Sequence, residues 1–216
     1  IMSKKEMYDV NCVRCPRLAS HLKSVRDSYP DYHGLPVAPF GANKPGLLIV
    51  GLAPGMHGAN ATGRPFTGDH AGILLYKALY KYGFSNQEQA TEAEDGLKLE
   101  NCRITNAVKC LPPENKPTGA EVNTCNSFLV KEIESLGKQF VILALGGIAH
   151  KAVLKALSLK NKDHDFGHGA LHQISKNKWL LDSYHCSRYN TQTRRLTEDM
   201  FFEVFNKAHE LVNTTI

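Results

Sequence analysis

Two loops and four cysteines carry the residue types that could do chemistry in this chain. Residues 51–69 read GLAPGMHGANATGRPFTGD and follow the apolar run Leu47-Leu48-Ile49-Val50. Residues 185–197 read HCSRYNTQTRRLT and follow Trp179-Leu180-Leu181. A polar loop at the carboxyl end of a buried strand is where open α/β sheets bind ligands. Glycines in such a loop let the backbone approach a polymer or a small ring closely. Asp69 offers a carboxylate that can serve as a base, or can cap a helix. Asn106 closes the run Ile104-Thr105-Asn106 and offers an amide donor and acceptor. His185 opens the second loop with an imidazole. Phe66 sits between Pro65 and Thr67 on neither a helical nor a strand period, which suits an aromatic platform better than core packing. The first loop is neither a dinucleotide fingerprint nor a phosphate-binding P-loop, because the G-x-G-x-x-G and G-K-[ST] spacings are absent.

Cys12 and Cys15 form a C-x-x-C pair beside Pro16, and Cys110 and Cys125 are separated by 14 residues. Four thiolates can hold an iron–sulfur cluster or a tetrahedral zinc, and spacing alone does not separate the two. No secretory signal accompanies the six cysteines, which argues against a disulfide framework. Cys102, at the start of an expected strand, reads as a core thiol. His164, Asp165, His168 and His172 match no common metal motif, and the stretch reads as a solvated loop.

The elements that must position these groups alternate along the chain. The patterning predicts a helix over about 17–28, an irregular arm to residue 45, and a strand over 47–51. A helix from about Asp69 to Gly83 follows, then an acidic loop or frayed helix over 87–100 and a strand from Arg103 to Val108. Thr118 and Glu121 form a capping-box pattern opening a helix to about Leu136. Phe140–Leu145 has strand length, Gly146-Gly147 leads into a helix over about 148–157, and one or two short strands fall within 170–182. The last helix runs from Thr197-Glu198 to about Val212. Strands alternating with helices imply a mostly parallel sheet covered on both faces, hence one α/β domain over 1–216 built as a three-layer α/β/α sandwich, with 2–45 as an N-terminal arm.

With 216 residues, 42% hydrophobic and 22% charged, the composition is that of an ordinary globular protein and excludes a disordered one. No apolar run approaches the ~20 residues of a membrane span and no signal-peptide pattern opens the chain, so a cytoplasmic location is expected. A net charge of +5 permits a polyanionic partner without requiring one.

Taken together, the two loops, the strand ending in Asn106 and the cysteines resemble the uracil-DNA glycosylase superfamily, most closely its iron–sulfur family 5, or type B. The resemblance covers nearly the whole chain. It implies a [4Fe-4S] cluster on Cys12, Cys15, Cys110 and Cys125, pinning Arg14, Arg17 and Lys109 near DNA. It implies excision of uracil, and of deaminated purines such as hypoxanthine, from DNA by a monomer beside the prokaryotic nucleoid. Phe66 would stack on the base, Asn106 would read its edge and assist catalysis, His185 would stabilise the leaving base, and Asp69 would activate water. Gly51, Leu52, Ala53, Gly55 and Asn190 would complete the base site, Asn190 holding either the loop or the base, while Arg64, Ser187, Arg188 and Arg194 would meet phosphates, with Arg195 beside them. Tyr189 or Arg188 would wedge into the stack.

Three departures from the wider superfamily matter. Ala53 stands where many members carry an Asp or Asn, so the carboxylate role falls to Asp69. Gly55 stands where strict uracil enzymes carry a bulky Tyr, which implies an open pocket. Cys186 stands where the family usually has Pro. No lysine lies in either loop to form a Schiff base. A non-catalytic binder of damaged or single-stranded DNA on the same scaffold is the alternative from another class. A variant that traps the sugar covalently through its second-loop His, and a zinc-stabilised small-molecule hydrolase, fit less well.

Overall fold

A computed structural model describes residues 7–214, so residues 2–6 of the expected arm lie outside the described residues. Six strands form one sheet in the order β1-β3-β2-β4-β6-β5. They are β1 (Phe40–Gly41), β2 (Leu47–Gly51), β3 (Cys102–Asn106), β4 (Phe140–Leu145), β5 (Leu171–Ser175) and β6 (Lys178–Ser183). The four inner strands run parallel, and β1 and β5 close the two edges antiparallel. Every residue of β2, β3 and β4 is buried, as expected for strands covered on both faces.

Side chains alternate between those faces. Leu47 and Ile49 pack with Leu75, Leu79, Phe201 and Phe205, from helices α3 (His70–Lys81) and α7 (Glu198–Asn213). Leu48 and Val50 pack with Leu129, Ile133 and Val153, from α4 (Gly119–Glu134) and α5 (Gly147–Ala156). The result is the expected three-layer α/β/α sandwich. A third cluster joins α1 (Pro16–Ser28) to the segment after β3 through Leu18, Leu22, Val25, Val108 and Leu111. Two short helices complete the set among the described residues, α2 (Ala59–Thr62) and α6 (Arg188–Gln192), one in each polar loop.

Local chemistry explains where elements begin. The capping box at α4 is complete, with Thr118 accepting from the Glu121 N–H and the Glu121 carboxylate accepting from the Thr118 N–H. Thr197 caps α7 by accepting from the Met200 N–H. Strand β3 ends at Asn106, two residues before its expected end. Ala107 and Val108 still donate to the Gly51 and Leu52 carbonyls, but beyond the sheet, where the chain turns towards Pro112-Pro113. No helix among the described residues is long and apolar enough to cross a membrane.

The order places β2 between β3 and β4: the chain passes from β2 to β3 on one side and then from β3 back across β2 to β4 on the other, so the winding reverses at β2. Parallel register sets Gly51 opposite Asn106. The loops after β2, β3 and β6 therefore open at the same edge of the sheet, the position where doubly wound folds bind ligands.

Candidate active site

Those loops enclose a cavity of about 460 Å³, within the range of small-ligand sites. Leu52, Ala53 and Gly55 line it from the first loop, together with Phe66 and Asp69. Asn106 lines it from β3, and His185, Ser187 and Arg188 from the second loop. The three groups expected to do chemistry thus share one cavity.

Phe66 is held with a left-handed backbone, φ 54°, a conformation that a bulky residue rarely adopts and that marks functional strain when neighbours enforce it. Two glycines make this possible. A Cβ on Gly72 would collide with the Phe66 carbonyl, and one on Gly51 would lie 2.6 Å from the ring Cζ and run into the Asn106 side chain. Gly51 therefore does not line the cavity as expected; it clears space for the two groups that do. The Phe66 and His185 rings face each other across 5.9 Å at 31°.

Asn106 is buried, and its side-chain oxygen has no hydrogen-bond partner. A buried amide oxygen left so costs about 1–3 kcal/mol, which a ligand donor would recover. His185 has the same character, since its Nδ1 is buried without a partner. Burial lowers its imidazole pKa to about 4, so the ring is neutral near pH 7 and still carries one N–H to donate. The Asn190 side-chain amide donates to the His185 carbonyl at 2.8 Å. Asn190 is absent from the cavity wall, so its amide holds the loop instead of the base.

Asp69 does two things at once. Its Oδ1 accepts from the Gly72 N–H at 2.8 Å and caps α3. Its Oδ2 turns towards Gly55, where a Cβ would lie 3.6 Å away. Burial raises the carboxyl's pKa above its ordinary value, only partly opposed by the Gly72 N–H. Gly55 itself has room for a side chain, since that oxygen is the one atom its Cβ would meet within 4 Å.

Arg64 is a correction. It is buried, and its guanidinium is clamped by both oxygens of Asp95 at 2.8 and 2.7 Å, with Nε donating to Thr67 at 2.8 Å. No donor pair remains for a phosphate, so Arg64 braces the loop. Two other expected DNA contacts are also spent internally: Arg17 is bidentate to Glu121 at 2.8 Å, and Lys109 is buried against Glu132 at 2.5 Å. Arg188 and Arg194 are exposed, Arg188 on the cavity rim and Arg194 in the adjoining cleft. Ser187 lines the cavity while capping α6 through the Asn190 N–H. Reasoning from sequence missed His70 and Asn115, which also line the cavity. His70 follows the capping Asp69 and reaches Thr191 Oγ1 at 3.1 Å; Asn115 follows Pro112-Pro113, which marked only a turn.

Cys12, Cys15, Cys110 and Cys125 line a single recess beside α1, and all are free thiols. Burial, then the charges of Cys125, Cys12 and Cys15, push the Cys110 thiol up to about 12. The Lys109 N–H points at Cys125 Sγ, 3.4 Å away. Among the described residues no three of these sulfurs fall within 4.8 Å of one another. A tetrahedral zinc, at ~2.3 Å to each sulfur, would draw them to roughly 3.8 Å apart. Four thiols lining one recess without crowding are compatible with an iron–sulfur cluster between them. Cys102 and Cys186 lie in the main core, fully buried, and burial pushes both thiols upward.

Comparison with known proteins identifies the family. A family model described as the uracil DNA glycosylase superfamily matches residues 38–209. The type-5 uracil-DNA glycosylase of Thermus thermophilus is 42% identical over 205 residues, 93% of each chain. The type-5 uracil-DNA glycosylase of Pyrobaculum aerophilum is 41% identical over 204 residues, 92% of this chain and 88% of its own. A type-4 uracil-DNA glycosylase from the same organism is 36% identical over 148 residues, 68% of this chain and 61% of its own. The chain belongs to the uracil DNA glycosylase superfamily and, within it, to the type-5 uracil-DNA glycosylases.

Proposed function

We propose that this protein hydrolyses the N-glycosidic bond of uracil in DNA and leaves an abasic site. The observation that carries the reading is the meeting of Asp69, Asn106, His185 and Phe66 around one cavity. A nucleotide turned out of the stack at a cost of a few kcal/mol would enter it. Phe66 stacks on the base, and Asn106 pairs with its polar edge. As the C1′–N bond breaks, its electron pair moves to the base and positive charge spreads over the sugar. His185 donates to the base oxygen where negative charge collects, a contribution of about 10²–10³ in rate. Asp69 offsets the sugar's charge and accepts a proton from the water whose oxygen bonds to C1′; that proton returns through solvent to the departing base. No covalent enzyme intermediate is involved. Ser187, Arg188 and Arg194 meet phosphates, and Tyr189, 70% exposed, is available to fill the gap in the stack.

The space beside Gly55 supports a broader range that includes hypoxanthine. The four cysteines would hold a [4Fe-4S] cluster whose contribution is to tie α1 to the segment after β3. The protein would act as a monomer, folded as one domain, beside chromosomal DNA.

Oligonucleotides with one uracil opposite G, or one hypoxanthine opposite T, test the reading through alkaline cleavage after incubation. Strand cleavage at the base is expected, lost with Asn106→Ala and His185→Ala. Folded protein that binds uracil-DNA and leaves it intact would overturn the enzyme and favour the binding-only alternative, which the names of the relatives do not support.

A further inference from the structure

Outside the cavity, α5, β5 and β6 bring together His150, His172 and Asp182. Their ligand atoms all lie within 4.8 Å of one another. His150 and Asp182 are buried, and the His172 side chain is 17% exposed. His150 Nδ1 lies 2.8 Å from Asp182 Oδ1. Its Nε2 lies 2.9 Å from the His164 carbonyl, which can only accept, so Nε2 carries a proton; Nδ1 carries a second one towards Asp182 when the ring is charged, and gives it up when a cation takes that place. His172 Nε2 stands 3.4 Å from Asp182 Oδ2, yet neither atom has a hydrogen-bond partner.

A buried carboxylate oxygen facing a buried ring nitrogen, with no bond between them, is costly. A small cation among the three side chains would engage both orphaned atoms and the Nδ1 lone pair together. The remaining contact already has the form found around metal-binding histidines, where the other ring N–H donates to a carbonyl. Two imidazoles and one carboxylate suit zinc, with a fourth position left to water. Of the four residues that the sequence reads as part of a solvated loop, only His172 belongs to this group. His168 is spent on the Met200 carbonyl and the Tyr184 N–H.

We propose that His150, His172 and Asp182 form a zinc site separate from the four cysteines. Asp182 lies three residues before His185, and the Ser183 carbonyl accepts from the Gly146 N–H at 2.8 Å. A cation there would fix the end of β6 from which the second loop departs, and would link it to α5 and to edge strand β5. None of the three residues lines the base cavity.

Cobalt(II) provides the test. Purified protein of measured iron content, freed of loosely held metals, is titrated with Co²⁺ and then with Zn²⁺. One equivalent of cobalt should bind with visible d–d bands, without sulfur-to-cobalt charge transfer, and zinc should displace it. His172→Ala, at a partly exposed edge position, should weaken binding by at least ~10²-fold, since even outer partners of a metal ligand are worth about 10–100-fold. Its circular dichroism and iron content should stay unchanged, and His172→Gln serves if the alanine variant fails to fold. The proposal is overturned if folded wild type takes up no cobalt, if the bound cobalt shows thiolate charge transfer, or if the His172 variants bind as tightly as wild type.

Discussion

Two aspartates meet at the first loop, Asp69 at its end and Asp95 reaching it from the 87–100 segment, and their surroundings push them in opposite directions. Asp95 meets Arg64 bidentately and also accepts from the Thr91 and Leu97 N–H groups, which holds its carboxyl far below the usual range. Asp69 has no cation in hydrogen-bond contact; burial pushes it upward, and a single oxygen is committed, to Gly72. One carboxylate has spent its hydrogen-bonding capacity on the scaffold. The other keeps an oxygen in the cavity and an affinity for protons above that of an ordinary Asp. Paired groups with pKa values driven apart are a way to divide structural from chemical work between identical side chains.

Substitution should separate these jobs. Asp69→Asn keeps a good cap but removes the base, so turnover should fall by about 10²–10⁴-fold while the melting temperature hardly moves; equal losses of both would end the distinction. Asp95→Ala strands a buried guanidinium and should cost about 3–5 kcal/mol of stability, read by urea denaturation. At low temperature, turnover of the folded fraction should stay within a few-fold of wild type.

Acidification should act on the two aspartates in sequence. Asp69, with its raised pKa, takes a proton first as pH falls. This ends its role as base, while the same proton uptake by the native state slightly favours folding. Asp95 has a depressed pKa, so its stabilising contribution is present above the ordinary carboxylate value and is lost as pH falls from there towards its folded value. A pH range should therefore exist in which the protein is folded and inactive, visible by combining circular dichroism with excision rates. His185, protonating only near pH 4, should add no limb to the rate profile near pH 6.5. The smallest effect is the cap itself: Asp69→Ala should be about 1 kcal/mol less stable than Asp69→Asn.

How much of this could be read in the sequence follows the reach of the interactions. The runs 47–51 and 140–145 gave their strands, and Thr118 with Glu121 gave the start of α4, because apolar patterning and capping are local. That Asp69, Asn106, His185 and Phe66 meet at one cavity was legible because each sits in or beside a strand-end loop with unusual chemistry. Arg64 was misread because its partner lies 31 residues away in a loop with no pattern of its own. For Asn190 the sequence leaves loop and base open, because nothing local shows that the His185 carbonyl claims its amide. Strand β1 is two residues long and exists only through pairing with β3, and the meeting of His150, His172 and Asp182 depends on three elements folding together.

The strained Phe66 has a further consequence for how this fold can change. Gly51, Phe66 and Gly72 form a lock that no single substitution can exchange, because a methyl on either glycine collides with the aromatic residue it serves. Gly55 stands a few residues away with vacant space before it. Mutational drift is thus closed around Phe66 and open at the Gly55 wall of the same cavity. On the proposed function, one codon change at Gly55 would reshape the pocket, while the Phe66 geometry is inherited as a block.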